Sequence, residues 1–114
     1  PLDDAILRID NDVEPRPLAY LVNCVHSSAL ASALGTPAGR RALDSGRLLG
    51  LQANSSSMSP EELDGSENLM GDGAEAFAAG MCALRTRFGL QVLGGCCGTD
   101  GSHIAALARG LTGA

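Results

Sequence analysis

Three short apolar runs, each followed by a helix-like stretch, constrain this chain more than any other feature. They are "LAYLVN" (Leu18–Asn23), "RLLGLQAN" (Arg47–Asn54) and "LQVLG" (Leu90–Gly94). The first is bounded by prolines and too short for a helix, so it reads as a buried strand. The second is apolar enough for burial on both faces, as in parallel sheets. Between the runs the spacing turns helical. Leu2, Ile6 and Ile9 share a face in a helix over Pro1–Asp12, which Glu14–Pro17 breaks. Ser27 or Ser28 is expected to cap a helix carrying Leu30, Ala33 and Leu34. Thr36-Pro37 opens another helix, and Gly46 ends it. Phe77, Met81, Leu84 and Phe88 place a helix over Ala74–Phe88, stopped by Gly89, and Ile104, Leu107, Ala108 and Leu111 form the stripe of a last one. Strands alternating with helices imply an α/β fold with parallel strands and right-handed crossovers. The polar stretch Asn54–Gly73 reads as a long loop, with the acid-rich part from Glu61 to Glu75 on the surface.

Composition narrows the function. A chain of 114 residues suits one domain. With 45% hydrophobic but only 3% aromatic residues, the core must be built from Leu, Ala, Val and Ile. A net charge of −5 argues against a nucleic-acid partner, which would want a basic stripe. No apolar run reaches membrane-span length, and no export signal is evident, so a reducing, cytoplasmic setting is expected. In that setting the four cysteines, Cys24, Cys82, Cys96 and Cys97, point to metal or catalysis rather than to disulfides.

Loops at the carboxyl ends of strands share one face in βα units. Cys24 follows the first strand, and Cys96-Cys97 follow the third after Gly94-Gly95. Neighbouring residues in a regular strand point opposite ways, so two adjacent thiols serve one centre only where glycines free the backbone. Three thiolates with one open position is a catalytic type of zinc arrangement. His26 or His103 could complete a closed site instead, and three small buried hydrophobes is the plainer alternative. Cys82 reads as a packed small residue away from the site, and Asp100 as the cap of the last helix. A phosphate cradle is disfavoured: neither GxGxxG nor GxxxxGK[ST] is present, and two cysteines have no task there.

The segment "GGCCGTDGSHIAAL" (Gly94–Leu107) resembles the carboxyl-terminal signature of the homocysteine S-methyltransferase family, matching at Gly94, Gly95, Cys96, Cys97, Gly98, Thr99, His103 and Ile104. Gly101 stands where that family usually has proline. Asn23-Cys24 matches its Asn-Cys pair after an earlier strand, and Asn54-Ser55 retains part of its Pro-Asn-Ser pattern. The resemblance implies Zn2+ on Cys24, Cys96 and Cys97, with the homocysteine sulfur as fourth ligand. It implies substrate contacts at Asn23 and Asn54. It also implies methyl transfer from a small-molecule donor (betaine, S-methylmethionine, S-adenosylmethionine or methylcobalamin in relatives) to give methionine. His26 is then a supporting or surface residue.

The implied fold is the carboxyl-terminal part of a (β/α)8 barrel. Such barrels take roughly 250 residues, so residues 1–114 are expected to be a single incomplete portion, inactive alone. That portion would pair with a missing amino-terminal half or with copies of itself. The other readings are a non-enzymatic metal-binding or self-associating half-barrel and a redox module built on the vicinal thiols of Cys96 and Cys97.

Overall fold

The computed structural model describes residues 1–56 and 73–113. Most of the expected polar loop, with Met58, Met70 and the acid run from Glu61, lies outside them. In chain order the elements are α1 (Leu2–Asp12), β1 (Tyr20–His26), α2 (Ser27–Leu34), α3 (Pro37–Asp44), β2 (Leu48–Asn54), α4 (Ala74–Phe88), β3 (Val92–Gly95) and α5 (Gly101–Thr112). The strands form one parallel sheet in the order β1-β2-β3, open at both sides rather than closed into a barrel.

The helix boundaries follow from local chemistry. The Thr36 hydroxyl accepts the Gly39 N–H at 3.1 Å with Pro37 in the first turn. Gly89 takes φ 74°, the left-handed conformation that ends α4. At α2 the expected serine cap gives way to His26, whose Nδ1 accepts the Ser28 N–H at 3.1 Å. The imidazole wins because β1 runs on to His26 and leaves no extended residue after it.

Leu51, Met81 and Ala42 are fully enclosed, with Leu30, Leu34, Phe77, Leu84, Leu90 and Leu107 around them. Each large apolar side chain so buried contributes about 1.5–3 kcal/mol. Two expected stripes are rotated. In α1, Ile6 is buried but Ile9 is 40% exposed. In α5 the inward residues are His103, Ala106 and Leu107, while Ile104 and Leu111 face outward.

The helices leave one sheet face bare. The register pairs Leu21 with Gly50 and Asn23 with Gln52, and Gly50 with Val92 and Gln52 with Gly94, so these residues share a face. Leu21, Asn23, Gln52 and Val92 are all exposed. Burial on both sides thus holds for most of the central strand β2 but not for the sheet.

Candidate metal centre

Cys24 reaches the site through an irregularity in β1. Asn23 pairs with Gln52 and Val25 with Ala53, so Cys24 is the extra residue of a bulge. Its φ is 60°, a conformation that costs a non-glycine residue about 1–2 kcal/mol. A bulge re-aims a side chain, and here it carries the Cys24 sulfur to 2.8 Å from that of Cys96.

The other two sulfurs arrive on the turn after β3. The Cys96 N–H donates to the Ala53 carbonyl at 2.7 Å, continuing the sheet ladder one step beyond the strand. The Cys97 N–H donates to Oδ1 of Asn54 at 3.1 Å. Ser55 closes the frame: its N–H donates to the Cys97 carbonyl at 3.1 Å and its hydroxyl to the Gly98 carbonyl at 2.9 Å. Gly98, at φ 78°, lets the chain reverse toward α5. The Thr99 hydroxyl donates back to the Cys96 carbonyl at 2.7 Å.

All three sulfurs lie within 4.8 Å of one another. Tetrahedral zinc–thiolate geometry, with bonds near 2.3 Å, sets sulfurs about 3.8 Å apart. The 4.0 Å separation of the Cys96 and Cys97 sulfurs already fits, and the donor set can hold a soft or borderline metal ion. The closest thiols are therefore Cys24 and Cys96, not the vicinal pair on which a redox module was expected to rest. Cys24 and Cys97 are exposed, which removes the alternative of three buried hydrophobes.

Without metal the cluster is electrostatically uneven. The Cys24 thiol is pushed up to about 11, first by its hydrogen bond to Cys96, then by partial loss of water and the neighbouring sulfur charges. The Cys96 thiol is pulled down, chiefly because Cys24 donates to its sulfur. One proton shared by two sulfurs gives this pattern.

The histidines stand apart. Among the described residues the metal-capable cluster contains the three cysteines and neither histidine. His26 caps α2. His103, buried at 4% exposure, accepts the Asp100 N–H at Nδ1 (3.2 Å) and meets Phe77 edge-on at 5.4 Å. Asp100 accepts the Ser102 N–H at 2.8 Å, and its side chain also takes the His103 N–H, which with the bond to His103 Nδ1 forms a capping box for α5. Cys82 is packed against the core, where a side chain added at Gly110 would meet its sulfur at 2.7 Å. Asn23 is exposed on the bare sheet face opposite Gln52, whereas Asn54 is 2% exposed beneath the cysteine turn. Sequence reading missed the role of Ser55, for which an Asn-Ser pair at a strand end was the available signal.

A thiol cluster at the carboxyl edge of a parallel βα sheet stands where α/β enzymes carry their active sites. The chain belongs to the homocysteine S-methyltransferase family, whose model matches residues 1–111. No curated protein and no solved structure matches it. Among the described residues no helix is long and apolar enough to cross a membrane.

Proposed function

We propose that this chain provides the zinc-binding half of a homocysteine methyltransferase, with Cys24, Cys96 and Cys97 as the protein ligands. The observation that carries this reading is the meeting, in a member of this family, of three sulfurs from two separate strand ends within 4.8 Å. Held by Cys24, Cys96 and Cys97, Zn2+ would supply the Lewis acidity that lets the homocysteine thiol release its proton to solvent near neutral pH, where a free thiol keeps it. Three anionic sulfurs would donate more charge than imidazoles, which would leave the substrate sulfur electron-rich. A bond would form between the homocysteine sulfur and the donor methyl carbon as the donor–methyl bond breaks, its electron pair leaving with the donor. Asn23, and the amide NH2 of Asn54, are the candidate contacts for the amino-acid end of homocysteine.

The bare sheet face, with Leu21 47% and Val92 46% exposed, supports the companion proposal that residues 1–114 are one part of a (β/α)8 barrel. An amino-terminal half would cover this face. A non-enzymatic half-barrel that binds metal and self-associates rests on the same observation. Native mass with metal content separates the two: a monomer with one zinc fits the first, and a metal-loaded oligomer the second.

The decisive test is zinc stoichiometry together with methyl transfer. One zinc per chain is expected, with its thiolates protected from alkylation until a chelator is added. Homocysteine is expected to perturb the spectrum of the Co2+-substituted chain, and turnover by the chain alone to be negligible. A folded chain that takes up no zinc would overturn the proposal, and robust turnover would overturn the incompleteness it assumes.

A further inference from the structure

We propose that Asn54 is a positioning residue: its side-chain oxygen holds the Cys97 N–H and so aims the Cys97 sulfur at the point shared with Cys24 and Cys96. The inference rests on the reading of the cluster as a metal centre. The last amide of the cysteine turn to meet a β2 carbonyl is that of Cys96, which donates to the Ala53 carbonyl at 2.7 Å. One residue later the chain turns, and no β2 carbonyl receives the Cys97 N–H. The Asn54 side chain substitutes for it at 3.1 Å, adding one rung beyond the strand.

That added rung matters because of alternation. In a continued strand the Cys97 side chain would point away from that of Cys96. Here the Cys97 N–H is held by Asn54, its carbonyl by the Ser55 N–H, and the next carbonyl by the Ser55 hydroxyl. The peptide planes on both sides of Cys97 are thus set by Asn54 at the end of β2 and by Ser55 just after it, a segment that contributes no sulfur. Asn54 is 2% exposed, so its amide is fixed by its surroundings rather than sampling solvent. Cys96 needs no such aid, since a backbone carbonyl holds its amide. Loss of Asn54 therefore affects one ligand of the three.

The test uses the full chain, metal competition against a chromophoric chelator, and the absorption spectrum of the Co2+-substituted protein. Asn54→Ala is expected to weaken metal binding roughly 10–100-fold, the range typical for partners that orient ligands. Thiolate-to-cobalt charge-transfer intensity is expected to drop by roughly a third, the share of one sulfur among three. Asn54→Asp keeps an acceptor oxygen in the same place and is expected to keep the three-sulfur spectrum. Asn54→Leu fills a similar volume without an acceptor oxygen and is expected to lose the same share of intensity as Asn54→Ala, whereas a role confined to packing would spare it. Should Asn54→Ala fail to fold, Asn54→Ser takes its place with the same expectation, being polar but too short to reach the Cys97 N–H. Wild-type affinity and intensity in Asn54→Ala, or loss of one sulfur in Asn54→Asp, overturns the inference alone. Absence of metal binding by the wild-type chain overturns both this and the parent reading.

Discussion

The two ends of the sheet are built on opposite principles. At the amino end, Arg47 donates from Nε and Nη2 to the two oxygens of Asp10, at 2.9 and 3.0 Å, and from Nη1 to the Leu18 carbonyl at 2.8 Å. It also donates to the Pro17 carbonyl and lies over the Tyr20 ring, whose hydroxyl donates to Asp10 at 2.7 Å. Opposite charges meet, and α1 is tied to the starts of β1 and β2. At the carboxyl end, three groups of like charge when ionised are brought together, one of them on a residue at φ 60°. The amino end stabilises itself. The carboxyl end holds groups that a cation would satisfy, which is the usual division between the stability face and the active face of parallel βα folds.

The largest expected effect breaks only the carboxyl end. Cys96→Ser removes the sulfur that contacts both others, and metal affinity should fall by more than the roughly 10–100-fold typical of an outer partner. Elemental analysis checks the metal content, and the melting temperature of the metal-free protein should hold. Arg47→Ala is the converse. The melting temperature should drop clearly while metal stoichiometry stays as in the wild type, and a coupled loss of metal would show the two ends to be one cooperative unit.

A third effect sharpens the unevenness within the cluster. In the metal-free chain, alkylation mapped by mass spectrometry should label Cys96 before Cys24. Labelling of Cys24 should rise only as pH climbs toward about 11. Equal rates at pH 8 would remove the shared proton.

Acid tests both ends at once. Asp10 is lowered chiefly by its hydrogen bond from Arg47, and Asp100 is lowered to about 2, first by the Ser102 hydroxyl and then by His103. Folded values below the ordinary 3.8 mean that each carboxylate stabilises the fold above that pH. This stabilisation disappears as pH falls from 3.8 through the folded values, near 2 for Asp100. Denaturant titrations from pH 5 to 2 should show the decline, and Asp100→Asn should flatten part of it. The smallest effect is expected from Thr36→Ala. It removes one helix cap, the Thr36 hydroxyl that holds the Gly39 N–H, costs about 1 kcal/mol, and should leave metal binding untouched.

Much of the fold was legible because its signals are local. Apolar spacing placed every helix and strand of the described residues in order, and α4 over its full length. Pro37, Gly89 and Asp100 mark boundaries by their own backbone preferences or side-chain capping. The cysteine turn was visible as a glycine-flanked pair at a strand end. The rotated stripe of α5 was not, because helical propensity does not say which face turns inward, and packing of His103 against Phe77 on α4 accompanies the observed one. Nor was the extent of β1 legible: the run of Leu18–Asn23 ends in polar residues, yet pairing with β2 carries the strand to His26.

The chain's own order of residues determined the alternation of strands and helices, the core's dependence on aliphatic side chains, and the presence of three thiols at strand ends. Tertiary structure alone decided that the thiols meet. Cys24 turns toward Cys96 because β1 has one residue more than β2 across the bulge, and Cys97 is held through Asn54 and Ser55. Both depend on strand register, a relation between segments far apart along the chain, and no local propensity encodes it.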